Sequence, residues 1–160
     1  MKYPYQGLYD NFVDMTKEEK YKQLLQSASP IIDSTVDDIA NMANLSRLIF
    51  DEFGFHWVGF YRVFKGRLTL GPFQGPIACT SIEMGKGVCG MTWKNKRSYI
   101  VDDVHEFDGH IACSPYSNSE IVVPCIRNGE VFAVLDVDST TKAQFDAIDQ
   151  AYLEQLVALL

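Results

Sequence analysis

The sequence predicts an α+β fold: an antiparallel sheet with the N- and C-terminal helices packed on one face and a lid of loop and short helix over the other. Three observations carry this. Helical periodicity is confined to the two ends of the 160-residue chain. The middle alternates like strands and contains Asn128-Gly129, the strongest short hairpin signal. The run Val131-Phe132-Ala133-Val134-Leu135 is apolar at every position, so the central strands must be covered on both faces.

In chain order, Thr16-Lys17-Glu18-Glu19 is a capping box that opens a first helix. Tyr21, Leu24, Leu25 and Ala28 lie on its apolar stripe, and Pro30 stops it. Ser34-Thr35-Val36-Asp37 opens a second helix with Val36, Ile39, Ala40 and Ala43 on one stripe, widened by Met42, Leu45 and Ile49. Residues 56–64 and 67–73, joined by Lys65-Gly66, read as a hairpin, and residues 78–82 as a third strand. Gly85, Gly87 and Gly90 make a glycine-rich turn feeding a short helix through residues 91–94. Residues 99–104 form another strand. Residues 105–118 are a polar loop, longer than a compact domain keeps without a use for it. Residues 120–126 and 131–138 form the last hairpin. A closing helix runs from about Thr141, with Phe145, Ile148, Tyr152, Leu156 and Leu159 on its stripe.

Apolar residues make up 47% and charged residues 22%, which excludes a disordered or fibrous chain; residues 1–160 are expected to form a single domain. A net charge of −7 disfavours a nucleic-acid partner. The longest apolar runs fall well short of the ~18 residues of a membrane helix, so no membrane association is expected. The first residues carry no apolar signal core, and the expected location is the cytoplasm.

Four cysteines, Cys79, Cys89, Cys113 and Cys125, are separated by 10, 24 and 12 residues, with no C-x-x-C pair. That spacing does not suggest a zinc ribbon or finger. Asp136-Val137-Asp138 puts two carboxylates on one side of a strand, and Glu120 begins its partner strand, seven residues after Cys113. No lysine or arginine of that hairpin end neutralises the three acids, so the cluster is poised for a cation or for proton donation. One difficulty stands in the way. An ideal two-residue turn at Asn128-Gly129 pairs Glu120 with Val137 and turns it to the wrong face. Pro124 points to an irregularity between Glu120 and Asn128 that restores the parity.

The segments Gly71-Pro72-Phe73-Gln74-Gly75-Pro76 with Ala78-Cys79, Gly85-Lys86-Gly87-Val88-Cys89-Gly90, Cys113 through Val123 (CSPYSNSEIVV), and Val134-Leu135-Asp136-Val137-Asp138-Ser139 together resemble the free methionine-(R)-sulfoxide reductases, stand-alone GAF-domain enzymes. The likeness runs from about Trp57 to Ser139; Cys125 lies outside the family's three functional cysteines. The resemblance implies a GAF-like sheet and reduction of free L-methionine-(R)-sulfoxide, with thioredoxin as reductant. It implies Cys113 as the attacking thiolate and Cys89 or Cys79 as its resolving partner. The thiol chemistry so implied needs no metal or organic cofactor. Glu120, Asp136 and Asp138 would bind the substrate ammonium and supply a proton. Trp57 and Tyr61 would line the pocket around the methyl end. Carboxylates crowded in one pocket raise each other's pKa, which suits a proton donor to the leaving oxygen.

The rival reading is a non-enzymatic GAF module that binds a small ligand or senses redox state, although 160 residues leave little room for an output domain. A Cys–His pair, or a metal set, made from His105, His110 and Cys113 is weaker still, since both histidines sit in the long loop. His56 and Cys125 read as structural. Packing of the terminal helices would allow a homodimer.

Overall fold

The computed structural model describes residues 15–109 and 113–160. Six antiparallel strands form one sheet: β1 (Trp57–Phe64), β2 (Arg67–Gln74), β3 (Ser81–Ile82), β4 (Tyr99–Val101), β5 (Ser119–Arg127) and β6 (Glu130–Ser139), in the order β3-β2-β1-β6-β5-β4. Helices α1 (Lys17–Ala28), α2 (Asp38–Phe53) and α4 (Ala147–Val157) cover one face, and α3 (Gly87–Asn95) packs on the other.

Each helix start has a local cause. The Thr16 hydroxyl accepts from the Glu19 amide at 3.3 Å while Glu19 takes the Thr16 amide at 2.8 Å, the expected capping box. The second helix begins later than expected, at Asp38. Asp37 caps it through the Ile39 amide, and Asp33 and Thr35 close a turn ahead of it. The last helix also starts later than Thr141, because Asp146 accepts from Ile148 and Asp149 and caps there. Phe145 is nonetheless buried. The short helix is longer than expected, Gly87–Asn95. The fourth strand is shorter, since Asp103 caps a 3-10 turn at Val104–Glu106.

Both faces of the sheet are buried. Phe60, Ile121, Val123, Leu135 and Val137 pack under the three helices with Tyr21, Met42, Leu45, Ile49, Leu153 and Leu156. On the opposite face Trp57, Tyr61, Val122 and Val134 meet Val88, Cys89 and Trp93 of α3 and Val104 of the loop. Full burial of side chains of this size is worth about 1.5–3 kcal/mol each, and the two-sided core is what holds α3 over the strand ends.

The ladder between β5 and β6 carries the expected irregularity. Near the Asn128-Gly129 turn, Arg127 faces Glu130 and Ile126 faces Val131; beyond it Cys125 faces Ala133 and Glu120 faces Asp138. The extra residue is Phe132 on β6, not a residue at Pro124 as the sequence suggested. Arg127 lies over the Phe132 ring at 4.3 Å and pairs with Asp38 at 2.9 Å, which pins the bulge to α2. Pro124 sits where β4 has already ended, so that side of β5 is an open edge.

Candidate active site

The bulge decides which side chains share a face. With the parity restored, Glu120 lies opposite Asp138, Trp57 opposite Asp138, and Gly59 opposite Asp136. Trp57, Tyr61, Glu120, Asp136 and Asp138 therefore point to the face covered by α3, where they line one pocket with Val88, Cys89 and Cys113. Seven of the eight residues singled out in the sequence line it; the eighth, Cys79, stands at its rim through its bond to Cys113.

Cys79 and Cys113 form a disulfide, their Cα atoms 5.3 Å apart. Two hydrogen bonds hold its ends. The Tyr61 hydroxyl donates to the Cys79 carbonyl at 3.0 Å, and the His56 Nε2 meets the Ser114 hydroxyl at 3.1 Å. Cys89 stays a free thiol, buried in the wall and hydrogen-bonded to Asp136. Burial, and then the charges of Asp136 and Glu120, push its pKa well up.

The three acids behave as a unit. Glu120 and Asp136 are buried, and among the described residues no lysine or arginine forms an ion pair with any of the three. Desolvation raises both pKa values well above the ordinary carboxylate range, and the neighbouring carboxylates add to it. Asp138 is pushed up only to about 6, because the Ser117 hydroxyl beside it favours the charged form. Asp138 is thus the member that ionises first, with acid-form neighbours at its side. Asp136 Oδ1 is buried with no hydrogen-bond partner among the described residues.

Trp57 forms the aromatic wall, stacked on Phe73 at 5.3 Å and on Tyr61 at 5.9 Å, with its indole N–H donating to the Pro76 carbonyl at 3.1 Å. Gly59 makes this possible, since a Cβ there would lie 2.4 Å from the Trp57 ring. Sequence reasoning missed Lys86, Ile77 and Ser117, which also line the pocket. Lys86 and Ser117 fall inside the quoted motif segments; only their neighbours drew attention. His105 meets Asn118 at 3.3 Å, and His110 lies outside the described residues.

A six-stranded antiparallel sheet with helices on one face and a pocket under a short helix on the other is the architecture of a GAF domain, and the GAF domain family matches residues 36–160. GAF domain-containing protein A of Dictyostelium discoideum is 48% identical over 91% of this chain and 92% of its own length. Free methionine-R-sulfoxide reductase of Escherichia coli is 42% identical over 91% of this chain and 89% of its own. The X-ray structure of free methionine-R-sulfoxide reductase from Neisseria meningitidis in complex with its substrate superposes with a TM-score of 0.89, at 43% identity, over 93% of this chain and 90% of that one. The chain belongs to the free methionine-R-sulfoxide reductase family of GAF domains. Among the described residues no helix is long and apolar enough to cross a membrane.

Proposed function

We propose that this chain reduces free L-methionine-(R)-sulfoxide to methionine through a cysteine sulfenic acid and an intramolecular disulfide. The observation that carries the reading is a Cys79–Cys113 pair opening onto a pocket floored by three uncompensated acids. Likeness to structures of relatives bound to their substrate supports it.

The ammonium of the substrate pairs with ionised Asp138, and the unpartnered Asp136 oxygen accepts one of its protons. The methyl end rests on Trp57 and Tyr61. The Cys113 thiolate attacks the sulfoxide sulfur while Glu120, held in its acid form, protonates the oxygen, a poor leaving group until it is protonated. Oxygen passes to Cys113 as a sulfenic acid and methionine leaves as the thioether. The Cys79 thiol then attacks the sulfenic sulfur, water departs, and the disulfide forms. A dithiol of the thioredoxin class returns the two electrons by exchange. Cys79 takes the resolving role because it reaches Cys113, whereas Cys89 is tied to Asp136. A sulfoxide inside a polypeptide brings no ammonium and leaves the ionised acid unpaired, at a cost of several kcal/mol, roughly 3–5.

The test is NADPH consumption with thioredoxin, its reductase and racemic free methionine sulfoxide, expected to stop near half of the racemate. Turnover with a chemical dithiol but not with thioredoxin removes the reductant from the proposal. No turnover with either removes the function and leaves the ligand-binding reading, whereas undiminished turnover by Cys113→Ser removes Cys113 as the nucleophile. Cys79→Ser is expected to accumulate a dimedone-reactive Cys113, which Cys89→Ser does not.

A further inference from the structure

We propose that the floor of the pocket is also a site for a thiophilic divalent cation of the zinc class, ligated by Cys89, Glu120 and Asp136. Cysteine spacing could not signal such a site, because these three residues come from α3, β5 and β6 and meet only in the fold. One sulfur and two carboxylate oxygens lie within 4.8 Å of one another, all on buried side chains. Around a tetrahedral ion with bonds of about 2.0–2.3 Å, donors stand roughly 3.3–3.8 Å apart. Closing that difference takes side-chain adjustments of about an ångström.

A second observation comes from hydrogen bonding rather than from donor spacing. Asp136 Oδ1 is buried without a partner, and its side chain faces the same floor. A lone pair left unsatisfied in a buried wall is a coordination position in waiting. The donor set selects the metal. Sulfur with two carboxylates suits zinc, cobalt or cadmium, whereas magnesium and calcium require six or more oxygens and several waters. Three protein ligands leave a fourth position facing the open pocket, for water. Since Asp136 also receives the substrate ammonium in the proposed function, cation and substrate exclude one another; that clause alone rests on the functional reading.

The disulfide form isolates the test, because its free thiols are Cys89 and Cys125, and Cys125 is buried on the opposite face of the sheet. Tag-free oxidised protein titrated with Co²⁺ is expected to bind one equivalent with a near-ultraviolet thiolate-to-cobalt absorption that Zn²⁺ abolishes. Cys125→Ser keeps the band, Cys89→Ser loses it, and Glu120→Gln weakens binding at least tenfold. Cobalt bound without the band, or a band that survives Cys89→Ser, overturns the proposal. Where Cys89→Ser fails to fold, wild-type protein decides: Zn²⁺ should slow alkylation of Cys89 at least tenfold, with recovery in chelator, and an unchanged rate overturns the site. Neither readout involves turnover, so the site can fail while the enzyme stands, and the reverse.

Discussion

Ser117 favours the charged form of one of the three acids, Asp138. Burial raises the Asp138 pKa to about 6, and the Ser117 hydroxyl beside it acts in the opposite direction. At neutral pH the site then holds an ionised member to meet a single ammonium, with acid-form partners able to give up a proton. Ser117→Ala should raise the Asp138 pKa above about 6, read by carbon NMR of the carboxyl group. The same variant should raise KM at pH 7 more than it lowers kcat, because it weakens ammonium binding and leaves the acid form of Glu120 in place. An unmoved Asp138 titration would show that another donor sets the charge. None of this was legible beforehand: Ser117 is one of three serines in the CSPYSNSE segment, and its place beside Asp138 depends on the fold of the loop.

Elements place these residues by parity, and parity here rests on one residue. Without Phe132 bulged out of β6, Glu120 would face Val137 and the helix-side core. The conflict between an ideal Asn-Gly turn and a common face for the acids could be read in the sequence. Its location could not, because Pro124 was the visible irregularity, while the actual bulge is held by Arg127 and Asp38 from a distant helix. Capping explains the remaining boundary differences: Thr16-Glu19 is a local signal, but choosing Asp37 over Ser34, or Asp146 over Thr141, depends on where α2 and α4 meet the core. The Cys79–Cys113 partnership, 34 residues apart, was left open with Cys89 for the same reason. β1 supplies a test at this scale. Gly59→Ala puts a methyl 2.4 Å from both the Trp57 ring and Phe73 Cβ, so the indole must leave the pocket wall or the bulged strand pair must shift. Overpacking of this kind costs about 1–3 kcal/mol. The expected result is a lowered melting temperature together with a raised KM; a variant with wild-type KM would take Trp57 out of the substrate wall.

For the molecule as a whole, the pocket floor is a standing cost. Glu120, Asp136 and Asp138 have folded-state pKa values raised above those of an unfolded chain. The folded state therefore binds more protons between about pH 4 and the raised values, so the stability these groups supply is full below about pH 4. It is lost as pH rises, through about 6 for Asp138 and further for its neighbours. Asp33, Asp103 and Asp146 run the other way: hydrogen bonds and lysine partners lower their pKa values, and their contribution is lost as pH falls below about 4. The unliganded protein should accordingly melt highest on the acid side of neutrality and lose stability toward pH 8. Asp136→Asn removes a buried carboxyl that the folded state holds away from its charged form, and should raise the melting temperature at pH 8 by roughly 2–4 °C per kcal/mol recovered for a chain of this size. It should also flatten the decline while destroying activity, the pattern of a site kept at the expense of the fold. Free methionine, which brings the ammonium without the sulfoxide oxygen, should stabilise the wild type at pH 8 and the variant far less. Parallel melting profiles for the two proteins, with no response of either to methionine, would mean that the acids are solvated in the folded state and that the electrostatic account of the site is wrong.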